Sequence, residues 1–179
     1  MTIRPREEDR AIESAITFMV EKINECNRNP KPLILHSVRV GLRLYAKEES
    51  TNIVIAGLLH DLVEDTNCTE ADIEKKFGKE LSQFVSVFNY DDPKMFFKER
   101  WTAAIEKMLA IGRDAAILKL VDIHDNLRYL GLMNKKKEIV EGLLWRYSLV
   151  RDSFKEILRD DEDYQLYCRD LEAQEKMIT

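Results

Sequence analysis

Apolar residues recur along this chain at intervals of three and four positions, which is the spacing of one face of an α-helix. In residues 6–27 the recurring positions are Ala11, Ile12, Ala15, Ile16, Met19, Val20 and Ile23. The same spacing returns over residues 33–46, after a stretch with two prolines at residues 29–32 that interrupts the first pattern. The pattern therefore predicts two amphipathic helices at the start of the chain.

The next segment, residues 53–63 (IVIAGLLHDLV), differs because it is apolar on every side. A helix of this kind lies buried in the centre of a domain, and a buried β-strand is the competing interpretation. Residues 50–52 (STN) are N-cap candidates directly before the segment, and helices are predicted on both sides of it. We therefore predict a buried helix that contains the pair His60-Asp61.

Helix boundaries along the rest of the chain are marked by capping residues and by glycine and proline. Residues 69–72 (TEAD) have the form of a capping box, which predicts a short helix ending near Gly78. Further helical patterns cover residues 79–88, 94–111, 114–131, 135–159 and 162–176. No segment alternates with period two, and no repeat or linker divides the chain. We predict a single all-α domain over residues 1–179, with about eight or nine helices.

Composition narrows the class of protein without changing this fold. Hydrophobic residues make up 45% and charged residues 34% of the chain, with only six glycines and four prolines, which excludes collagen-like, low-complexity and disordered proteins. The formal net charge of −5 gives no general attraction for nucleic acids. It still allows a local basic pocket that binds a small phosphorylated substrate.

Neither a membrane-targeting segment nor a disulfide pattern is recognisable in the sequence. The chain has no run of about 18 apolar residues, and its first residues (MTIRPREED) lack the apolar centre of a signal peptide. Cys26, Cys68 and Cys168 are odd in number, far apart and in no C-x-x-C pair, so we expect reduced, structural cysteines. These observations predict a cytoplasmic protein with no membrane contact.

The pair His60-Asp61 is the first candidate for chemistry. An imidazole beside a carboxylate in apolar surroundings costs several kcal/mol unless its charge is compensated, and a divalent cation would compensate it. The alternative is a histidine bonded to a backbone carbonyl, with Asp61 at the helix surface. Glu64 and Asp65 follow one helical turn later on the same face, and this concentration of polar groups favours a site.

Two further residues are candidates for the same site. His36 lies in the helix that opens after Pro32, and Asp122 interrupts the apolar run of residues 115–121. Together with His60 and Asp61 they supply two imidazoles and two carboxylates. Such a mixed nitrogen and oxygen set suits Mn, Fe, Zn or Mg, and it is not a closed thiolate site.

The order of these residues, a His, a His-Asp doublet and a later Asp, resembles that of the HD-domain metal-dependent phosphohydrolases. Residues 60–66 (HDLVEDT) and 69–78 (TEADIEKKFG), with residues 119–128 (KLVDIHDNLR), resemble more narrowly the branch that hydrolyses the alarmone (p)ppGpp. That branch includes the RelA/SpoT hydrolase domains and the small Mesh1-type enzymes. The resemblance covers about residues 10–150, and the C-terminal helices are expected over about residues 135–176.

The resemblance implies a role for each motif residue. It gives His36, His60, Asp61 and Asp122 as ligands of one divalent metal, with Mn²⁺ as the expected ion. It gives Glu64 and Asp65 as the residues that position or activate the attacking water, and Asn126 as a residue that contacts the substrate or orients a metal ligand. The implied activity is hydrolysis of a nucleotide phosphate or pyrophosphate ester, with guanosine 3′,5′-bis(diphosphate) 3′-pyrophosphohydrolase as the best candidate.

Basic and aromatic residues near these motifs are candidates for substrate contacts. Arg28 and Lys31 stand where the alarmone branch has a basic cluster, and Lys98 and Arg100 are further candidates to bind phosphate, with a solvated surface as the alternative. Met95, Phe96, Phe97 and Trp101 either cover a nucleotide base or belong to the core. His124 lies about 200° around a helix from Asp122, so we expect a structural role for it.

Two other functions remain open from the sequence. One is a nucleotidase or phosphatase that acts on another small phosphorylated metabolite. The other is a non-catalytic module that binds a metal or a nucleotide as a sensor. Glu64 and Asp65 favour an enzyme, because a binding module has little need for two extra carboxylates beside an ion. The expected partner is a small nucleotide, and the oligomeric state is not predicted.

Overall fold

The computed structural model describes residues 6–26, 32–89, 95–130 and 137–178, and the regular elements in these ranges are helices. They are α1 (Arg6–Cys26), α2 (Leu33–Ala46), α3 (Thr51–Leu59), α4 (Leu62–Asp65), α5 (Glu70–Phe77), α6 (Lys79–Ser86), α7 (Phe97–Ile111), α8 (Arg113–Leu127), α9 (Lys137–Leu158) and α10 (Glu162–Ile178). Because α4 is a single turn of four residues, the described ranges hold nine longer helices. The all-α prediction is confirmed.

The chain divides into two compact units, Met1–Asp91 and Asp92–Thr179. The first unit contains α1 to α6, and the second contains α7 to α10. That residues 1–179 form one domain stays a prediction.

Helix α3 is the apolar centre of the first unit. All residues from Ile53 to Leu59 are buried, and α1, α2 and α6 pack around them. The Ser50 hydroxyl accepts a hydrogen bond from the backbone amide of Ile53 at 3.4 Å, so it caps α3 as the sequence predicts. None of the helices in the described part of the chain combines the length and the apolar character that crossing a membrane requires.

The structure differs from the prediction at the end of this segment. Helix α3 stops at Leu59, and His60 and Asp61 form a turn before α4 begins. A local side-chain bond competes with the helix here: His60 Nδ1 lies 2.8 Å from the carbonyl oxygen of Gly57, which in a continuous helix accepts the amide of residue 61. The prediction that the His-Asp pair lies inside one continuous helix is therefore wrong.

Helices α2 and α3 approach closely because a glycine of each helix faces a leucine of the other. A Cβ atom on Gly41 would lie 2.6 Å from Leu58 Cδ2, and one on Gly57 would lie 2.5 Å from Leu44 Cδ1. Both distances are well inside the optimum of about 3.5–4.0 Å between two carbon atoms. A larger side chain at either position must push the two helices apart.

We expect Gly57→Ala to lower the free energy of unfolding by about 1–3 kcal/mol, the usual cost of overpacking a core. Urea unfolding of the purified protein measures the change. Gly142→Ala is the matched control, because a Cβ atom there meets nothing within 4 Å and alanine is the better helix former by about 1 kcal/mol. Equal stability of Gly57→Ala and the wild type would mean that Leu44 moves aside without cost.

Helix α2 ends in a Schellman motif that places a glutamate in a glycine position. The Glu48 amide donates to the carbonyl of Tyr45 at 3.0 Å, and the Glu49 amide donates to that of Leu44 at 3.2 Å. Glu48 accordingly has a φ of 58°, in the left-handed region. A side chain with a Cβ atom is strained there, and glycine is not.

We expect Glu48→Gly to raise the free energy of unfolding by about 0.5–1 kcal/mol, since relief of strain exceeds the extra entropy of glycine in the unfolded chain. The melting temperature should rise accordingly. Glu13→Gly, at an exposed position inside α1, should lower it. A loss of stability in both variants would contradict the strain at Glu48.

The link from α5 to α6 follows the sequence prediction. Thr69 and Asp72 form the capping box: the Asp72 amide donates to the Thr69 hydroxyl at 3.2 Å, and the Thr69 amide donates to Asp72 Oδ2 at 2.9 Å. The Thr69 hydroxyl also donates to Asp72 Oδ2 at 2.7 Å, and this bond, together with the one from the Thr69 amide, lowers the pKa of the Asp72 carboxyl. Gly78, with a φ of 91°, ends α5 and begins α6.

The cysteines are free, as the sequence predicts. Burial raises the pKa of the Cys68 thiol to about 11, and burial also raises that of Cys168. A thiol that stays protonated at neutral pH is a poor nucleophile and a poor metal ligand. The raised pKa values of Cys68 and Cys168 agree with the structural roles that the sequence predicts for them.

Helix α8 is the centre of the second unit. All its residues from Ala115 to Asp125 are buried, and α7, α9 and α10 pack around it. His124 Nε2 lies 2.7 Å from Asp170 Oδ2 on α10, and the Tyr167 hydroxyl of α10 donates to the Tyr147 carbonyl of α9 at 2.8 Å. The predicted structural role of His124 is confirmed by its contact with a neighbouring helix.

Candidate metal centre

One carboxylate faces two imidazoles in the first unit. Asp61 Oδ1 lies 3.2 Å from His60 Nε2, and Asp61 Oδ2 lies 3.4 Å from His36 Nε2. The ring centroids of the two histidines are 5.3 Å apart, and their ligand nitrogens lie within 4.8 Å of each other. Both histidines are buried, whereas the Asp61 side chain remains 13% exposed. Two imidazoles and one carboxylate, which are all common metal ligands, therefore lie in contact with one another.

The packing of α2 against α3 brings the two histidines together. His36 lies in the first turn of α2, where its amide donates to the carbonyl of Pro32 at 2.9 Å. His60 follows the last residue of α3, and its ring is held by the carbonyl of Gly57. Because Gly57 also allows the close helix crossing, one residue determines both the distance between the helices and the orientation of His60.

The Gly57 carbonyl determines which nitrogen of His60 carries the proton. A carbonyl only accepts hydrogen bonds, so His60 Nδ1 is the donor, and Nε2 of the neutral ring presents a lone pair. That lone pair faces Asp61 Oδ1, which is also an acceptor. Two facing acceptors need a cation between them, either a proton or a metal ion. A backbone carbonyl behind a metal-binding histidine is the usual arrangement, so these residues fit a divalent metal.

Glu64 and Asp65 lie in the turn that follows Asp61. The Asp65 amide donates to the Asp61 carbonyl at 2.9 Å, so Asp65 follows Asp61 by one helical turn, as predicted. Glu64 is exposed and Asp65 is half-buried. The Cys26 thiol at the end of α1 lies 3.9 Å from the Asp65 carbonyl oxygen and contributes a weak hydrogen bond to this turn.

Asp122 lies in the second unit, buried on α8. Lys119 Nζ lies 2.7 Å from Asp122 Oδ2, and Asn126 Nδ2 donates to Oδ1 at 2.7 Å. Asn126 therefore orients the carboxylate, which is one of the two roles offered for it from the sequence. The sequence interpretation missed Lys119. Its signal was present, because a lysine three residues before an aspartate shares its helix face.

The other predicted substrate contacts are placed only in part. Lys98 and Arg100 lie on α7, and Lys98 Nζ is 5.1 Å from the ring centroid of Trp145 on α9. Arg28 and Lys31 lie outside the described residues. The aromatic residues divide between the two interpretations: Trp101 is buried in the core, whereas Met95, Phe96 and Phe97 are exposed.

Comparisons with known proteins agree with the motifs. A family model described as the HD domain matches residues 15–143. A probable guanosine-3′,5′-bis(diphosphate) 3′-pyrophosphohydrolase of Mycoplasma pneumoniae is 30% identical over 135 residues, which are 67% of this chain and 18% of that protein. The MESH1 enzyme of the same name from Drosophila melanogaster is 35% identical over 101 residues, 55% of this chain and 56% of its own.

A solved structure supports the fold. It belongs to a metazoan ortholog of SpoT that hydrolyzes ppGpp, and it matches this chain with a TM-score of 0.76, at 23% identity and 98% coverage of both chains. At this identity the likeness concerns the fold. The family model is the broader finding, because it spans both the His-Asp turn and α8. The chain belongs to the HD domain family.

Proposed function

We propose that this chain is a metal-dependent hydrolase that releases pyrophosphate from the 3′ position of guanosine 3′,5′-bis(diphosphate). The observation that carries the proposal is the Asp61 carboxylate facing two buried imidazoles, with Glu64 and Asp65 in the following turn. Relatives that carry this activity in their names support it. The substrate is a proposal for this chain, because it spans only 18% of the Mycoplasma pneumoniae relative.

For the metal we propose one divalent ion, with Mn²⁺ as the expected metal. Its proposed ligands are His36, His60, Asp61 and Asp122. Two neutral imidazoles and two carboxylates suit Mn, Fe, Zn or Mg. The bonds from Lys119 and Asn126 support the role of Asp122, because they fix the direction of both its oxygens. A divalent ion held by such a set lowers the pKa of water and polarises a phosphoryl oxygen.

Glu64 and Asp65 are the proposed proton carriers. In the hydrolysis, water gives its hydroxyl to phosphorus and the bond from phosphorus to the ribose 3′ oxygen breaks. Water therefore loses one proton, and the departing 3′ oxygen gains one. A carboxylate that reaches water can accept the first proton and return the second, and Glu64 is exposed. Direct attack by water needs no covalent intermediate.

The remaining assignments belong to the same proposal. Lys98 and Arg100 are proposed to contact phosphate, together with Arg28 and Lys31. The free cysteines support a reducing compartment, and we propose a cytoplasmic enzyme. Its proposed partner is a small phosphorylated nucleotide, rather than a nucleic acid or a membrane.

A substrate panel tests the proposed activity. Guanosine 3′,5′-bis(diphosphate) and a set of deoxynucleoside monophosphates are incubated with the protein, with and without Mn²⁺. We expect release of pyrophosphate from the first compound only when Mn²⁺ is present. Release of inorganic phosphate from the monophosphates instead would favour the nucleotidase alternative. A protein that binds the metal and cleaves nothing in the panel would favour the sensor.

A further inference from the structure

Two half-buried arginines of α9 in the second unit differ in their partners. Arg151 Nε lies 2.8 Å from Asp152 Oδ1, and its Nη1 lies 3.6 Å from Glu175 Oε1, so carboxylates neutralise its charge. The guanidinium of Arg146 instead lies 4.7 Å from the ring centroid of Trp101 and 5.1 Å from that of Tyr147. Its surroundings are aromatic rather than acidic.

The hydrogen-bonding capacity of Arg146 is largely unused. Its Nη2 donates to the Tyr147 hydroxyl at 3.4 Å, and its buried Nε has no acceptor. Among the residues that the structure describes, no carboxylate forms an ion pair with it. Aromatic faces stabilise a guanidinium, but they leave the donors along its edge free. A guanidinium with donors to spare is a common partner of phosphate oxygens, which accept charge-assisted hydrogen bonds from it.

Other cations reinforce the positive charge around Arg146. Lys119 Nζ lies 5.0 Å from the same Trp101 centroid, so this ring contacts two cations, Lys119 and Arg146. Asp122 forms an ion pair with Lys119, which leaves the charge of Arg146 uncompensated by this carboxylate. Lys98 stands over Trp145. The ring of Phe97 joins the two tryptophans, with centroids 6.5 Å from Trp101 and 6.0 Å from Trp145.

We propose that Arg146 binds a phosphate group of the substrate, remote from the bond that is cleaved. Arg146 and Lys119 share one ring centroid at 4.7 and 5.0 Å, and Lys119 contacts Asp122 at 2.7 Å. These contacts connect Arg146 to Asp122 through the ring of Trp101 and through Lys119. The proposal places one nucleotide, with phosphates at both its 3′ and 5′ positions, along this path. With its 3′-pyrophosphate at Asp122, its 5′-diphosphate reaches Arg146. This assignment of the phosphate rests on the proposed function, whereas the anion site does not.

The first test measures binding without turnover. Isothermal calorimetry records the binding of inorganic pyrophosphate to the full chain in the presence of a chelator. We expect Arg146→Met to weaken binding roughly 10- to 100-fold, the range for a charge-assisted hydrogen-bonded pair, and Arg146→Lys to restore part of it. Arg151→Met, the matched control on the same helix, should bind as the wild type does. Unchanged binding by Arg146→Met, or an equal loss in the Arg151 variant, would overturn the proposal.

The second test separates phosphate recognition from packing. With guanosine 3′,5′-bis(diphosphate), Arg146→Met should raise KM by the same factor and leave kcat unchanged. With guanosine 3′-diphosphate, which lacks the 5′ phosphates, KM should not change. An equal rise in KM for both compounds would overturn the assignment to the 5′ end. If the wild type cleaves neither compound but its pyrophosphate binding depends on Arg146, the proposed function fails and the anion site stands.

Discussion

Glu64→Gln and Asp65→Asn should keep their metal and lose turnover by roughly 10²–10⁴, the usual contribution of a general acid or base. The amides preserve the shape of the side chains but cannot carry a proton. The proposed ligands stay intact in both variants. Steady-state rates on guanosine 3′,5′-bis(diphosphate), together with the metal content of each protein, measure the two effects separately.

Glu74→Gln is the matched control for this pair, because Glu74 is an exposed glutamate on α5 of the same unit. It should turn over substrate at the rate of the wild type. Loss of metal from the Glu64 or Asp65 variant would make that residue a ligand. Full activity with full metal content would remove it from the mechanism.

We expect His60→Ala to lose the bound metal, with a fall in affinity larger than the roughly 10- to 100-fold that a change behind a ligand causes. The reason is that Nε2 of this ring carries the lone pair that faces Asp61, and the substitution removes this proposed ligand atom. Elemental analysis and titration with Mn²⁺ measure the loss. Stripping the wild type with a chelator should also lower its melting temperature, since an ion at 100 times its Kd stabilises the folded chain by about 2.7 kcal/mol.

His124→Ala controls for the removal of a buried imidazole. His124 is as buried as His60, but it contacts Asp170 rather than Asp61. This variant should lose stability and keep its metal. Equal metal occupancy in the wild type and in His60→Ala would exclude the proposed ligand set.

Local patterns sufficed to predict most helices and several of their ends. The predicted range of residues 33–46 coincides with α2, and the capping box at Thr69 and Asp72 places the start of α5 correctly. These boundaries depend on backbone geometry within a few residues, so the local sequence is enough to predict them. The apolar pattern of residues 53–63 could not predict the break after Leu59, because that break depends on a side chain that takes the Gly57 carbonyl.

The site was less accessible from the sequence than the helices. The residue types make His36 a candidate for the site of His60, but only the resemblance to a family gives the two a shared role, since a contact between helices leaves no periodic signal in either of them. The apolar run around Lys119 predicts a buried helix and does not by itself indicate the pairing with Asp122, for which the spacing of three residues is the signal. The sequence alone does not single out Arg146. Its proposed role depends on its having aromatic rings rather than a carboxylate beside it, which only the structure shows for the described residues.

Gly57 links two properties of the first unit that are normally independent. The same residue admits Leu44 between the helices and offers its carbonyl to His60. Metal occupancy and the tightness of the α2–α3 crossing are therefore coupled equilibria, and each must respond to the other. Adding metal should slow amide hydrogen exchange throughout α3, including residues far from the ion, and loosening the crossing should speed metal release.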